Sequence, residues 1–201
     1  MSQQRIAVVG AGIVGLSTAY ALLKQGMKRV TVLEQMVVDH PRSMSRGISR
    51  LLRFEYGSDL FYSTMVRLSL KCWYELEKVA RRPIFTRTGV LVLGREHDNE
   101  TLASYRTLRD LGIAIERFPR GNCAHRFPQF NVEPYDVFTY SRDGGILHAS
   151  TCLQTLKDLV RTLGGEIVEN CRVTQIRHDD LRHPIRLQLS SGGECLAEKV
   201  V

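Results

Sequence analysis

Several patterns that would assign a chain to a large functional class are missing from these 201 residues. No stretch of about twenty uninterrupted apolar residues is present, so we expect no transmembrane helix. The five cysteines are odd in number and share no CxxC spacing, which favours buried free thiols in a reducing compartment over a disulfide framework. The six histidines have no HxxxH spacing, so the sequence gives little support to a metal site.

The excess of basic residues also lacks a pattern. Net charge is +7, but lysines and arginines are scattered among acids and form no run with interleaved aromatic residues. We therefore expect no nucleic-acid partner, and we attribute part of the excess to an anionic cofactor and an anionic substrate. A hydrophobic content of 43% is enough for a buried core, although a dinucleotide enzyme with its own substrate domain usually has a longer chain.

The most informative stretch runs from Arg5 to Glu34. A short apolar strand at residues 6–9 precedes a glycine-rich turn, an amphipathic helix follows up to Gly26, and a second apolar strand at 30–33 leads to Glu34. The turn consists of Gly10, Ala11, Gly12, Ile13, Val14 and Gly15. A GxGxxG pattern alone is weak evidence, but this strand, turn, helix and strand order predicts a Rossmann-type βαβ unit.

Each glycine of the turn has a physical role in that unit. Gly10 allows a tight exit from the strand, Gly12 leaves room for a pyrophosphate, and Gly15 lets the helix lie close to the strand. The helix N-terminus stabilises the anion, and the Glu34 carboxylate can accept hydrogen bonds from ribose hydroxyls while disfavouring a 2′-phosphate. The sequence therefore predicts a site for the ADP half of FAD or NAD.

The segment after this unit changes character twice. Residues 39–50 are polar and broken, which predicts a loop near the cofactor, and Arg50 and Arg53 would share a face if residues 50–57 were helical. Ser58 is predicted to cap a long amphipathic helix in which Trp73 packs in the core and does not stack on a cofactor. Its predicted core residues are Leu60, Met65, Leu68, Leu70, Trp73, Leu76 and Val79.

The remaining chain alternates short strands with helices. We predict β structure at 84–94 bent at Gly89, a helix over 100–111 that stops at Gly112, and a strand at 136–140. Ser150 or Thr151 is predicted to cap the next helix. Short strands at 166–169 and 173–176, and a hairpin of 186–189 with 195–201, complete the pattern.

Some of these segments match one family. They are Val9 to Gly15, Ser45-x-Gly47-x-Ser49-Arg50-x-x-Arg53 with Tyr56, Trp73 to Glu77, Thr88 to Leu91, Phe127-Pro128 and Gly144-Gly145. The chain resembles the flavin-dependent amino acid oxidase (DAO) superfamily, and within it the sarcosine and N-methyl amino acid oxidases, including the peroxisomal sarcosine/pipecolate oxidases. The SxGxSRxxR segment discriminates best. Arg46 stands where the family usually has His.

The resemblance implies an α/β fold: a Rossmann-like FAD-binding domain, built on the GxGxxG βαβ unit, with an inserted α+β substrate domain, truncated. We expect residues 1–83 to form the first segment of the FAD-binding domain and residues 84–141 the start of the inserted domain. Residues 142–201 would form a second FAD-binding segment that ends before the domain is complete. Family members are nearly twice as long, and their flavin-linking cysteine lies beyond the matching region.

The resemblance also implies the cofactor and the site. FAD would be held by Gly10, Ala11, Gly12, Ile13, Val14, Gly15, Glu34, Ser45, Ser49, Arg50 and Val173. Arg50, against the isoalloxazine, and Arg53, which takes the substrate carboxylate, would be the catalytic residues. The implied reaction oxidises the C–N bond of a secondary amino acid, such as sarcosine, pipecolate or an N-methyl amino acid, with oxygen to an imine or aldehyde and hydrogen peroxide.

Two alternatives stay open. One is another flavoprotein of this fold, a 2-hydroxy acid dehydrogenase or a D-amino acid oxidase, and the other is a catalytically inactive truncated fragment. We expect the 201-residue chain alone to be inactive. The expected partners are a small amino acid and oxygen, with no nucleic acid and no membrane. The full-length form is expected to be a monomer, in the peroxisome if eukaryotic and otherwise in the cytoplasm.

Overall fold

The computed structural model of the chain describes residues 4–95, 97, 99–178, 180 and 183–201. The helices in these residues are α1 (Ile13–Lys24), α2 (Leu60–Ala80), α3 (Asn99–Asp110), α4 (Arg120–Arg126) and α5 (Ala149–Thr162). The strands up to residue 118 are β1 (Arg5–Val9), β2 (Arg29–Leu33), β3 (Arg50–Leu52), β4 (Phe85–Thr86), β5 (Val90–Gly94) and β6 (Glu116–Phe118). The later strands are β7 (Val137–Ser141), β8 (Gly145–Leu147), β9 (Glu166–Val168), β10 (Val173–Arg177), β11 (Ile185–Leu189), β12 (Glu194–Ala197) and β13 (Lys199–Val200).

The chain forms two compact units. The first unit combines Met1–Ile48 with Ala149–Val201, and the second unit is Ser49–His148. The first unit is thus discontinuous in sequence, with the second unit's residues between its two parts. The domain boundaries predicted after residues 83 and 141 stay a prediction, since a division by compactness need not coincide with domain borders.

A four-stranded parallel sheet, ordered β13-β1-β2-β9, lies at the centre of the first unit. Its central strands are short apolar runs that are buried, as expected for parallel strands. Helix α1 buries Leu16, Ala19 and Leu23, a spacing that places all three on one helix face. This is the predicted βαβ unit, and it brings the carboxyl ends of β1 and β2 to the same edge of the sheet.

A second sheet of the first unit contains β10, β11 and β12 in antiparallel order. The hairpin predicted at 186–189 and 195–201 is confirmed for its first part, but the single strand predicted at 195–201 is wrong. The chain leaves the hairpin after Ala197, and β13 pairs in parallel with β1. Glu198 lies at this break, where its backbone N–H donates to the carbonyl of Arg5 and its carboxylate lies 2.9 Å from the Arg5 guanidinium.

The second unit is built from two three-stranded antiparallel sheets, β3-β8-β4 and β5-β7-β6. The β structure predicted at 84–94 consists of two strands in different sheets, separated at Gly89 with φ +72°. The helix predicted to stop at Gly112 is confirmed as α3. Residues 50–57 are not helical, because Arg50–Leu52 pairs as β3 with β8.

The details predicted for α2 need correction. Asp59, not Ser58, is the N-cap, and its side chain accepts from the backbone N–H of Tyr62. The buried face contains Ser63, Leu70 and Leu76, with Val66 and Trp73 packed against the neighbouring core. Four residues predicted for the core are about half exposed: Leu60, Met65, Leu68 and Val79. The helix carries apolar residues on more than one face, so periodicity alone identified Leu70, Trp73 and Leu76 but also selected exposed residues.

Helix α5 begins at Ala149, one residue before the predicted caps. Ser150 therefore lies in the first turn, where its hydroxyl donates to the carboxylate of Asp39 at 2.9 Å. No helix in the described part of the chain is both long and apolar enough to cross a bilayer.

Candidate dinucleotide site

The predicted site lies in the first unit, at the edge where β1 and β2 end. Gly10 follows β1 with φ +99°, a conformation that L side chains rarely adopt. Its N–H donates to the carbonyl of Leu33 at 2.8 Å, so the exit from β1 is fixed against the end of β2. The chain then enters α1 within three residues, which places the helix N-terminus beside Glu34.

The other two glycines of the turn are required for different reasons. A Cβ built on Gly15 would overlap with the carbonyl oxygen of Gly10. A Cβ on Gly12 would lie 3.1 Å from the hydroxyl oxygen of Ser45, and the φ of Gly12 is an ordinary −75°. Gly15 is thus needed for the turn to close on its own helix, whereas Gly12 leaves open a space next to Ser45 that a side chain would fill.

Glu34 ties the glycine turn to the segment after β2. Its Oε2 accepts from the backbone N–H of Ala11 at 2.7 Å, and its Oε1 accepts from the N–H of Met36 at 2.9 Å. Each carboxylate oxygen can accept a further hydrogen bond, because it has two lone pairs. The side chain is therefore oriented beside the turn and can still receive ribose hydroxyls.

Ser45 reaches the same turn from the predicted loop. Its hydroxyl oxygen accepts from the backbone N–H of Ile13 at 3.0 Å. Gly12, the N-cap of α1, has no side chain to cap the helix, and no acidic residue is present in the first turn. The positive end of the helix dipole is therefore not neutralised by a carboxylate of α1, which leaves it available to an anion.

Val14, the second residue of α1, is 76% exposed, whereas Ala11 is buried. One side of the turn thus faces away from the core, as a binding loop requires. The space at Gly12, the helix N-terminus and the Glu34 carboxylate together fit the pyrophosphate and ribose of an ADP group.

Glu169 supports this site and was not identified from the sequence. Its carboxylate accepts from the N–H of Val38 at 2.7 Å and from Lys157 Nζ at 2.8 and 3.0 Å, and Arg161 Nη2 lies 3.6 Å away. Burial raises the pKa of Glu169, but hydrogen bonds from Lys157 and Val38 and the charges of Lys157 and Arg161 outweigh it, so the pKa is lowered. The only signal in the sequence was the i, i+4 spacing of the two cations on α5.

Val173, the remaining predicted cofactor residue of this unit, begins β10 and is partly buried against a cluster that includes Leu33. Two residues earlier, the N–H of Cys171 donates to the carbonyl of Glu34 at 2.7 Å. The segment that carries Val173 is thus attached to the end of β2. A contact between Val173 and a cofactor stays a prediction.

The other predicted site residues belong to the second unit. The guanidinium of Arg50 donates to the carbonyl of Ser49 at 2.9 Å. The guanidinium of Arg53 lies 4.9 Å from the centre of the Tyr56 ring, and that ring stacks on Tyr62 at 5.5 Å. Arg53 is thus held by a cation–π contact, and the roles predicted for Ser49, Arg50 and Arg53 stay predictions.

Between Arg53 and Tyr56 in the sequence lies a buried carboxylate that the sequence analysis did not identify. Glu55 is 3% exposed, and it accepts hydrogen bonds from the N–H of Phe54 and from the hydroxyl of Ser141. The contact with Ser141 fixes the segment that carries Arg53 to strand β7. Within the described residues, no group of three or more His, Cys, Asp and Glu is placed to hold a metal ion.

Comparison with known proteins identifies relatives that are named as oxidases. The chain is 34% identical over 170 residues to peroxisomal sarcosine oxidase of Mus musculus, covering 85% of this chain and 43% of the relative. It is 30% identical over 174 residues to N-methyl-L-tryptophan oxidase of Salmonella arizonae, covering 86% of this chain and 46% of the relative. The matched region therefore spans less than half the length of these relatives.

The fold also matches that of a solved structure. A mutant of NikD, an unusual amino acid oxidase essential for nikkomycin biosynthesis, matches with a TM-score of 0.83 at 24% identity, covering all of this chain and 50% of that one. This likeness supports the predicted α/β fold class. The model of the family DAO, FAD dependent oxidoreductase, matches residues 5–201. The chain therefore belongs to the DAO family of FAD-dependent oxidoreductases.

Proposed function

We propose that the chain binds the ADP half of FAD at the turn between β1 and α1, as part of a protein that oxidises a secondary amino acid. FAD is the cofactor of the family. The observation that carries the proposal is the turn itself, in which the space beside Gly12 meets the helix N-terminus and the oriented Glu34 carboxylate.

In this proposal each residue of the turn has a stated task. Gly12 leaves space for the pyrophosphate, the N-terminus of α1 stabilises its charge, and Glu34 accepts hydrogen bonds from the ribose. Ser45, whose oxygen already accepts from Ile13, has a hydroxyl hydrogen free to donate to a phosphate oxygen. Glu169 keeps the segment after β2 in place by holding the N–H of Val38.

The substrate part of the proposal depends on arginine chemistry and on the relatives. When bound, FAD supplies the acceptor for the electrons of an amine C–H bond, and oxygen reoxidises it to give hydrogen peroxide. Arg53 would hold the substrate carboxylate through two parallel N–H donors, while its ring contact with Tyr56 limits its motion. Arg50 would supply a fixed positive charge near the ring system.

Relatives named for sarcosine and for N-methyl-L-tryptophan favour an N-methyl amino acid as the substrate class. The alternatives are a 2-hydroxy acid and a D-amino acid. All three classes carry a carboxylate that an arginine could bind. They differ in the group on the α-carbon, which is a secondary amine, a primary amine or a hydroxyl. Peroxide formation by a longer protein that contains this chain, with sarcosine or pipecolate but not with lactate or D-alanine, would favour the proposed class.

The proposed binding of FAD is tested by Gly12→Val. A valine side chain would occupy the space beside Ser45, and we expect the bound yellow chromophore to be lost while the fold is retained. FAD titration followed by fluorescence quenching measures this. Gly193→Val is the matched control, because a Cβ there meets nothing closer than Ser191 Oγ at 3.9 Å. Wild-type affinity in the Gly12 variant would contradict the proposed site.

The role of Arg53 is tested separately by Arg53→Lys. Lysine keeps the charge but cannot reproduce the parallel donors, so a substrate amino acid should bind about tenfold more weakly with little change in FAD affinity. Perturbation of the flavin absorbance by added sarcosine provides the measurement. Arg106→Lys, at an exposed position of α3, serves as the control. Equal sarcosine affinity in both variants would remove Arg53 from the site.

A further inference from the structure

A concave site lies in the second unit, and none of its lining residues belongs to the dinucleotide site. Its volume is about 420 Å³. Five segments form its wall: the residues after β3, one face of α2, the segment between β4 and β5, the turn between β7 and β8, and the residues after α3. We call it the basic cleft. Its polar lining residues are Arg67, Lys71, Tyr74, Arg87, Arg142 and Asp143.

Helical spacing explains why α2 contributes several of these groups together. Arg67, Lys71 and Tyr74 are separated by four and three residues, so they share one face of the helix. The guanidinium of Arg67 is fixed at the end of α3, where it donates to the carbonyl of Leu111 at 2.9 Å. One wall of the cleft is therefore a rigid helix face with two cations.

The opposite wall brings two further cations to a single carboxylate. Arg87 Nη1 lies 3.4 Å and Arg142 Nε 3.9 Å from the same oxygen, Oδ1 of Asp143. Each guanidinium has five N–H donors, so Asp143 uses only a small part of their capacity. The side chains of Arg87 and Arg142 are 60% and 69% exposed, which leaves them accessible to a ligand.

Charge and apolar surface meet in this cleft. Among the described residues that line it, four basic side chains face one carboxylate, so its net charge is positive. Phe54, Leu70 and Ile113 also line it, and all three belong to the core cluster of the second unit. These three side chains are at most 9% exposed and form a packed base, the ring of Tyr74 is 38% exposed and accessible, and the cationic rim attracts anions.

We propose that the basic cleft binds an organic phosphate monoester, with the phosphate at the cationic rim and an apolar body against the exposed Tyr74 ring and the packed base of Phe54, Leu70 and Ile113. A doubly charged oxyanion matches the positive excess better than a carboxylate does, and guanidinium groups bind phosphate oxygens in pairs. The proposal does not depend on FAD binding, because none of the residues placed in the dinucleotide site lines the cleft.

Phenyl phosphate, inorganic phosphate, phenol and hexanoate are suitable probes, titrated by calorimetry into the purified chain without FAD. We expect saturable binding of phenyl phosphate and at least about tenfold weaker binding of the other three. Equal binding of inorganic phosphate would exclude a role for the apolar base. Equal binding of phenol would exclude a role for the charge of the phosphate. Tighter binding of hexanoate would show that the cleft prefers a carboxylate to a phosphate. Each of these results would overturn the proposal, as would the absence of saturable binding.

Single-charge variants locate the site. Lys71→Gln and Arg142→Gln change exposed side chains and should each weaken phenyl phosphate binding by about tenfold. Lys78→Gln is the matched control, since it removes one exposed charge from the same helix outside the cleft. An equal loss in all three would assign binding to overall charge and overturn the proposal. Gly12→Val should leave phenyl phosphate binding unchanged even where it removes FAD binding.

Discussion

The two compact units differ in how their structure is encoded. In the first unit, β1, α1 and β2 form one continuous stretch that places the glycine turn beside Glu34, although β9 and β13 join the same sheet from the far end of the sequence. In the second unit, β3 pairs with β8, although almost a hundred residues separate them in the sequence. Local sequence determines the first arrangement, whereas the second depends on long-range pairing.

This difference has a consequence for how each unit tolerates change. The glycine turn of the first unit packs backbone against backbone, as the overlap of a Gly15 Cβ with the Gly10 carbonyl demonstrates. The second unit has both kinds of contact: a Cβ on Gly145 would overlap with the carbonyl oxygen of Thr86, whereas Gly89 packs its backbone against the far end of the Tyr140 side chain. A side chain can move aside more cheaply than a backbone can, so substitutions at Gly15 in the first unit and Gly89 in the second compare a backbone contact with a side-chain contact directly.

The largest effect is expected for Gly15→Ala. The added methyl would overlap with the carbonyl oxygen of Gly10, and relief of this overlap requires a backbone shift in the turn, whose N–H at Gly10 is bonded to the carbonyl of Leu33. Overpacking of this kind costs about 3 kcal/mol or more where backbone must shift. Urea unfolding followed by circular dichroism measures the loss, and hydrogen exchange with mass spectrometry locates it.

Gly12→Ala is the control for that variant. Its φ of −75° suits alanine, and its Cβ would lie 3.1 Å from a serine hydroxyl that can rotate. We expect its stability to stay within about 1 kcal/mol of the wild-type value. Equal destabilisation by both substitutions would mean that the turn does not distinguish a structural glycine from a binding glycine.

A smaller loss is expected for Gly89→Ala in the second unit. Two costs add at this position: φ of +72° strains an alanine, and the methyl overlaps with Tyr140, whose hydroxyl donates to the carbonyl of Thr88. Because the tyrosine can shift, we expect about 2 kcal/mol in total. Trp73, the single tryptophan of the chain, lies in this unit, so its fluorescence reports the transition.

Gly112→Ala isolates the first of the two costs. Its φ is +66°, but a Cβ there meets nothing within 4 Å. It should therefore lose about 1 kcal/mol, the strain alone. A loss at Gly112 as large as that at Gly89 would show that displacement of Tyr140 costs nothing.

Sequence reasoning reached most of the first unit because its signals are local. The glycine spacing, the two apolar strands and Glu34 predicted the turn that Gly10 and the Ala11 contact to Glu34 now define. The contact of Ser45 with Ile13 could not be derived in this way, since it joins residues 32 positions apart through a loop without regular structure. Its assignment to the cofactor site came from resemblance alone.

In the second unit the local signals were weaker or ambiguous. Strands β3, β6 and β8 have three residues each, too few for an alternating pattern to be recognised. Helix α2 carries apolar residues on an exposed face as well as on the buried one, so its orientation depends on contacts such as that of Ser63 with the carbonyl of Phe54. The buried Glu55 is also invisible to pattern analysis, because charged residues are rarely placed in a core.

The smallest expected effect concerns charge, and it distinguishes the first unit by its response to pH. Glu169 has a pKa below its ordinary value of 4.5, since Lys157, Val38 and Arg161 together outweigh the effect of its burial. A carboxyl group whose pKa is lower in the folded state contributes stability above the unfolded-state pKa. That contribution decreases as pH falls below about 4.5 and is lost once pH passes through the folded-state pKa. Glu169→Gln should therefore cost about 1 kcal/mol at pH 7, and the difference from wild type should shrink as pH is lowered from 4.5 to 3.

Glu166→Gln is the matched control, because Glu166 lies in β9 and accepts a side-chain bond only from the Thr31 hydroxyl among the described residues. Urea unfolding between pH 3 and 7 provides the measurement, with hydrogen exchange reporting the first unit. A difference between wild type and Glu169→Gln that stays constant over this range would show that the Lys157 contact does not lower the pKa of Glu169, and the first unit would then owe the position of its Val38 segment to packing alone.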